Sequence, residues 1–346
     1  MTLQRICVTG TGAAAALALA CFDRAGFTVE RKGSDAPGPA RQVVLNGATL
    51  SLIKDLLGRE TLAALQSAGR ILSHRVVLWG NREELVPQPA LLIDTSRLAK
   101  VVAPVQDSAP SNAPLSVMAR GRKFNRGAAA GPRFAYAWPE LDIVLPVPNA
   151  FYVVAVPPLG WAFLACPQAD HCVLQTLVAQ DDPALAIQVG LGALRRLGLQ
   201  DDLNGWLMLD GIDAAPRFGA PLTPDGASLG DECLGLDPLC GDGLGHALRA
   251  GVLLAALLGP QGAGASKRAQ IYTARMRHCF VAHLRACETY YQLFEADPAW
   301  SALQWEMRRV RLLHEALLAE AALPPYVLNR TTGSPDHSLG VSLEIR

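Results

Sequence analysis

Gly10-x-Gly12-x-x-Ala15 lies near the start of the chain, inside "VTGTGAAAALALAC" (8–21), and its residue types suit a phosphate. Gly10 permits a tight turn, Gly12 lets the backbone approach an anion, and Ala15 is small enough for a helix to pack closely on a strand. The first amides of that helix then face the phosphates. The same stretch also fits an export signal, with a lone Arg5, an Ala/Leu core and a small-residue end at Cys21. The two readings part after residue 21. A dinucleotide loop requires "RICVTG" as a strand, residues 12–24 as a helix, a stop near Gly26 and a second strand from "FTV" (27–29), and the sequence supplies each. It does not supply the ribose-binding acid that should end the second strand. Gly33 stands there in "VERKGSD", with Glu30 early and Asp35 late: either one serves after a local shift, or the ribose contact is missing.

A second constellation occupies 226–258, "GASLGDECLGLDPLCGDGLGHALRAGVLLAALL". An apolar strand reaches Gly230-Asp231, a proline-containing loop follows, and Gly241 and Gly243 lead into an Ala/Leu helix. An aspartate at a strand end can accept hydrogen bonds from sugar hydroxyls. A glycine-rich helix start offers amides and a positive dipole end to an electron-rich ring edge.

On these residues, "GDECLGLDPLCGDGLGHAL" resembles the second motif of FAD-dependent monooxygenases and related reductases of the glutathione-reductase-like class. The likeness is strongest to the branch holding tryptophan halogenase-like proteins and the flavoprotein modifiers of quinoprotein amine oxidases. The resemblance implies that Asp231 holds the FAD ribityl chain and that Pro238 lies near the flavin ring. It implies that the amides of Gly241, Gly243 and Leu244 face the pyrimidine edge, with Cys240 close by in place of the common Ser. Weaker matches are "LNGATLSLIKDLLG" (45–58), "LLIDTSRLAKVV" (91–102), "VMARGRKFNRGA" (117–128) and "GWAFL" (160–164). Their order along the chain is that of the family, and it identifies 8–21 as a cofactor loop with Gly10, Gly12 and Ala15 at the pyrophosphate.

The sequence also departs from the family. Thr95 stands where Arg is common, Met118-Ala119 lacks the usual Asp, and the segment 100–117 is short and rich in Pro, Ser and Ala. Arg122, with Arg120 and Lys123, forms a basic cluster that suits either a pyrophosphate or a solvated loop.

The elements that must position these residues define an α/β fold class: a Rossmann-like FAD-binding domain, an inserted antiparallel-sheet substrate domain and a helical C-terminal region. The pieces are 1–70, 91–130 and 220–265 for the cofactor domain, 71–90 and 131–219 for the substrate domain, and 266–346 for the helical region. Strands are expected at "HRVVLWG" (74–80), "LDIVLPVP" (141–148), "AFYVVAVP" (150–157) and "HCVLQTLVAQ" (171–180). A helix is expected over 182–199, with a proline near its start and Gly198 near its end. Tyr272, Met276, Phe280 and Leu284 recur at helical spacing after Ser266, a break falls at 296–300, and a second helix follows. Tyr290, Tyr291 and Trp305 either pack this region onto the rest or line a substrate cavity, and the end beyond Leu323 reads as loop.

Length and composition agree. The chain has 346 residues, is 50% hydrophobic and 18% charged, and carries 31 basic against 31 acidic residues. It is long enough for a substantial core, and its balance gives no reason for a nucleic-acid partner. No apolar run reaches the roughly 18 to 20 residues of a membrane span. The eight cysteines form no paired metal motif and read as small apolar residues of a reducing cytoplasm. His278 and His283 are five apart and do not share a helical face as paired ligands would. No Gly-x-Ser-x-Gly elbow or Walker lysine is present, which removes hydrolase and NTPase readings. No Trp-x-Trp-x-Ile-Pro segment is present, so halogenation is not expected. No side-chain catalyst stands out, as befits a cofactor that carries the hard chemistry.

The expected function is FAD-dependent, monooxygenase-like hydroxylation of an aromatic small molecule or a protein-bound aromatic side chain, with NAD(P)H as candidate electron donor. The rival is a degenerate flavoprotein fold that serves as a non-redox binding or maturation partner.

Overall fold

The structure, a computed structural model, describes residues 5–33, 41–102, 115–168, 171–199, 203, 205–223, 226–259, 265–321, 326–331 and 340–345. The first part runs β1 (Arg5–Thr9), α1 (Ala13–Arg24), β2 (Thr28–Lys32), β3 (Gln42–Asn46), α2 (Gly47–Leu57) and α3 (Arg59–Ala68). Next come β4 (Arg70–Trp79), β5 (Arg82–Asp94), α4 (Thr95–Val102), β6 (Leu115–Met118), β7 (Phe134–Leu141) and β8 (Ala150–Val156). Then follow β9 (Gly160–Ala165), β10 (Cys172–Val178), α5 (Pro183–Arg196), β11 (Leu209–Asp213), β12 (Arg217–Phe218), β13 (Leu222–Thr223), β14 (Gly226–Ser228) and β15 (Leu234–Gly235). The last part is α6 (Gly243–Leu258), α7 (Ala265–Tyr291), α8 (Pro298–Glu320), β16 (Tyr326–Thr331) and β17 (Gly340–Ile345).

Two main sheets organise these elements. The smaller has the order β13-β14-β6-β1-β2, and every pair but β13–β14 is parallel. The glycine turn at Gly10 and the Gly230 turn both follow strands of this sheet, β1 and β14, so one sheet edge presents both motifs. The larger sheet has the order β11-β7-β10-β9-β8-β4-β5-β3. It is not wholly antiparallel as expected, because β4 and β8 run parallel. The chain leaves β4 through the β5 hairpin and returns to β8 only after β6 and β7, so the two neighbours are not joined by a tight turn. β4 and β5 are joined by Gly80-Asn81, with Gly80 at φ +62°, a conformation that glycine adopts without a Cβ penalty.

Three expectations need correction. The strand placed at 141–148 ends at Leu141 instead of starting there. Ile143 N–H turns back to the Leu141 carbonyl, Pro146 and Pro148 interrupt further pairing, and Val144 is exposed. The break at 296–300 is a helix start: Asp297 accepts from the amides of Ala299 and Trp300, and Pro298 takes the first helical position. The end beyond Leu323, expected as loop, contains β16 and β17 paired antiparallel, with the apolar–polar alternation of "GVSLEI" as the signal.

The helical region is part of the main core. Tyr272, Phe280, Leu284, Tyr291, Phe294 and Trp300 are fully buried and share one apolar cluster with Ile6, Val8 and Phe22. Tyr291 therefore packs inside, while Tyr290 and Trp305 are exposed. A second cluster lies between the large sheet and α5, around Trp138, Tyr152, Leu174 and Val189. Cys21, Cys166, Cys172, Cys233 and Cys287 are buried, and none of them is in a disulfide. Among the described residues no helix is long and apolar enough to cross a membrane, and no group of three or more His, Cys, Asp or Glu is placed to hold a metal ion.

Candidate cofactor site

The glycine turn has the conformation its sequence requires. Gly10 has φ +146°, and a Cβ there would overlap the Ala119 carbonyl, so no other residue fits. Its amide donates to the Lys32 carbonyl, which ties the end of β1 to the end of β2. Gly12 begins α1 without a side-chain cap, and α1 has no acidic residue in its first turn. A Cβ on Gly12 would meet nothing within 4 Å, so the helix start opens outward. Ala15 is fully buried and touches the turn, as close helix-on-strand packing demands.

The second motif repeats this geometry. Gly230, at φ +62°, begins a 3-10 turn (Gly230–Glu232), and the Asp231 side chain is exposed while its carbonyl accepts from Asn125 Nδ2 at 2.9 Å. Pro238 starts another 3-10 turn, ended by Gly241 in the left-handed region at φ +58°. α6 then begins at Gly243 and Leu244. Asp242 precedes it but caps nothing there, because its carboxylate accepts instead from Asn46 Nδ2 (3.1 Å), Thr49 Oγ1 (2.9 Å) and Arg249. The first amides of α6 are thus left without a side-chain cap, and its first turn has no acid either.

The helices α1 and α6 run parallel and start side by side. A Cβ on Gly230 would touch Ala14 of α1 and lie within 4 Å of Ala247 of α6, and further along Gly251 packs on Cys21 and Ala18. Two uncapped helix starts therefore open at one end of the molecule, each with its positive dipole end free for an electron-rich group. On this observation the residues fit a cofactor with a pyrophosphate at one end and a ring at the other.

The place expected for the ribose acid is altered. Glu30, one of two candidates for the ribose acid, is buried and pairs with Arg5 at 3.9 Å, at the far end of β1 from the turn. Asp35, the other, and residues 103–114 of the short segment 100–117 lie outside the described residues, as does the Cys240 side chain. At the turn itself Arg31 donates from Nε and Nη2 to the carbonyls of Gly10 (3.1 Å) and Thr11 (2.9 Å). Gly33 sits against Gly10 and Thr11. A cation thus stands where the family pattern leads one to expect an anion.

The basic cluster resolves into braces. Arg122 donates to the carbonyls of Ala215 (2.8 Å) and Leu236 (2.5 Å), just before the Asp237-Pro238 pair. Arg120 forms a bidentate pair with Glu232 and also donates its amide to that carboxylate. The hydrogen bond to Glu232 holds the Arg120 guanidinium above its ordinary pKa. His246 lies near the same loop. Burial, followed by the Arg249 charge, pushes it down to about 4 against the pull of Asp242, so it is neutral at pH 7.

Beneath the Pro238 turn is a group that sequence reasoning missed. Asp237 is buried and accepts from Arg133 and from the Tyr291 hydroxyl, at 2.8 Å to each oxygen. Its amide donates to His283 Nε2 at 2.8 Å. A peptide N–H can only donate, so Nε2 is the acceptor in this bond. Trp161 Nε1 donates to the Tyr291 oxygen at 3.2 Å.

This arrangement belongs to a known class of fold. The chain has the fold of flavin-dependent monooxygenases and halogenases, a mixed α/β architecture with a parallel sheet beside a large mixed one. Similar solved structures include a peptidyl tryptophan dihydroxylase essential for tryptophylquinone cofactor biogenesis, QhpG, with TM-score 0.68 and 18% identity, covering 99% of this chain and 87% of that one. The flavin-dependent halogenase CmlS matches with TM-score 0.70 and 14% identity over 100% of this chain and 84% of its own. Klebsiella pneumoniae HpxO, solved with FAD, matches with TM-score 0.58 and 15% identity over 92% of this chain and 100% of its own. No protein-family model and no curated relative matches the sequence.

Proposed function

We propose that this protein is an FAD-dependent oxidoreductase that hydroxylates an aromatic ring, taking electrons from NAD(P)H. The observation that carries the reading is the pair of uncapped, parallel helix starts at Gly12 and Gly243, opening at one end of the fold. In this reading Gly10, Gly12 and Ala15 form the pyrophosphate turn and Asp231, exposed beside it, takes the ribityl hydroxyls. Pro238, Gly241, Gly243 and Leu244 face the ring, while Arg122 braces the loop from behind. Bound there, the flavin would supply the electron and oxygen chemistry, and the chain would orient it and keep the reaction dry. The cofactor domain would be discontinuous, from 1–70, 91–130 and 220–265, with the substrate domain from 71–90 and 131–219.

The likeness to a peptidyl tryptophan dihydroxylase supports an aromatic side chain held in a protein as the substrate, and a small aromatic molecule fits the same chemistry. One observation favours a second reading, a flavoprotein fold that works as a binding or maturation partner without redox turnover. Arg31 fills hydrogen bonds at the turn, and Gly33 stands where the ribose acid is expected. The visible spectrum of the purified protein with added FAD separates the two. A bound-flavin spectrum supports the oxidoreductase, and a protein that stays colourless leaves only the partner reading.

A further inference from the structure

The group around Asp237 is expensive to keep. Arg133 and Asp237 are both without solvent exposure, and well-packed apolar residues of like volume often replace such a pair with no loss of stability. Arg133 Nε is in addition a buried donor with no hydrogen-bond partner among the described residues. A network that leaves a donor unspent is not explained by stability, and an unsatisfied buried group calls for another role.

Its placement suggests one. Asp237 Oδ1 accepts from the Leu239 amide at 2.8 Å and so shapes the turn that carries Pro238 toward Gly241. The same residue is held by α7 through His283 and Tyr291, by the lead into β7 through Arg133, and, one bond further, by β9 through Trp161. Strands of the larger sheet and the helix α7 thus converge on one carboxylate directly behind the loop.

We infer that Tyr291, Arg133 and His283 are positioning residues of the flavin site, which fix the Pro238–Leu244 loop through Asp237 and set the reduction potential of the flavin by how fully that carboxylate is hydrogen-bonded. The inference rests on the reading that this loop faces a flavin. Reduction adds negative charge to the ring, and a nearby carboxylate opposes it more strongly in a low-dielectric interior. The Tyr291 hydroxyl draws charge from Asp237, and Trp161, donating to that hydroxyl, strengthens it as a donor.

The test is the midpoint potential of FAD bound to the full chain, for the parent, Tyr291→Phe and Trp161→Phe, with FAD affinity and thermal melting measured alongside. Tyr291→Phe shifts the midpoint to more negative values in the fraction that binds FAD, and Trp161→Phe shifts it the same way by less. A midpoint unchanged in both variants overturns the inference, since a merely structural role lowers stability and flavin content without moving the potential. If Tyr291→Phe does not fold, Trp161→Phe decides alone, because it keeps the Tyr291–Asp237 bond. A parent that binds no FAD overturns the flavin reading itself, a failure visible before any variant is made.

Discussion

Arg133 and Asp237 are 104 residues apart in the chain, yet they meet with neither side chain exposed to solvent. Burial works against the Arg133 charge, and Asp237 outweighs it with help from Tyr291 and Cys287, so the guanidinium titrates above its ordinary value. Removing one partner leaves the other charged and unpaired. Arg133→Met is expected to cost about 3–5 kcal/mol of stability. Denaturant unfolding checks this, and Arg133→Met/Asp237→Leu should recover part of the loss because no orphan charge remains.

The two glycines of the N-terminal turn should respond differently. Gly10→Ala forces a Cβ into the Ala119 carbonyl at a positive φ, a strain of about 1–3 kcal/mol before any overlap is counted. Gly12→Ala meets nothing in the protein and should leave the melting temperature unchanged. It should instead weaken FAD binding by blocking a charge-assisted hydrogen bond of about 1.5–3 kcal/mol. Equal effects of Gly12→Ala on stability and on affinity would rule out an open phosphate site at this helix start.

Asp231 and Glu232 are sequence neighbours with opposite tasks. The Asp231 carboxylate is exposed, and Asp231→Ala should change stability by no more than about 0.5 kcal/mol while lowering FAD affinity. Glu232 is buried against Arg120, and Glu232→Ala should cost about 1–3 kcal/mol through the donors it strands. Calorimetry of FAD binding with parallel unfolding curves distinguishes the pair. Unchanged affinity in Asp231→Ala would remove it from the ribityl chain.

His314 gives a pH test. It packs between the rings of Phe218 and Phe280, and burial, then the Arg277 charge, pushes it down to about 4 from 6.5. Between those values the unfolded chain takes up a proton that the folded one refuses, so stability falls as pH drops through this window. Above the unfolded value the full contribution is present. His314→Phe keeps a ring and removes the proton, and it should gain stability over the parent at pH 5 but not at pH 8. Equal differences at both pH values would show that His314 takes up a proton in the fold as readily as in the unfolded chain.

The parts that were legible in the sequence are those in which local geometry selects residue types. Gly10, Gly12 and Ala15 each meet a backbone or packing demand within a few residues, and Gly241 ends a short turn in the left-handed region. The near-continuous apolar runs of β8, β9 and β10, buried on both faces, are local in the same way. The Asp237 network was not legible, because its partners lie 46, 54 and 104 positions away and each residue alone resembles an ordinary core or surface residue. Arg122 was legible as important but not as a brace, since backbone carbonyls leave no mark in a sequence. The parallel β4–β8 pair was hidden for a related reason, as strand patterning fixes faces but not direction.

The seam between α1 and α6 acts as a gauge. Glycine inside a helix costs about 1 kcal/mol relative to alanine, yet Gly251 stands in the middle of α6 against Cys21 and Ala18. A Cβ there would rest in ordinary contact, 3.5 Å from the Cys21 sulfur, so it is a side chain larger than alanine that would wedge two stiff rods apart, as far as their starting turns. The interval between the two helix starts is therefore ruled by side chains that lie away from them, and a bulky side chain at Gly251 would widen it from a distance.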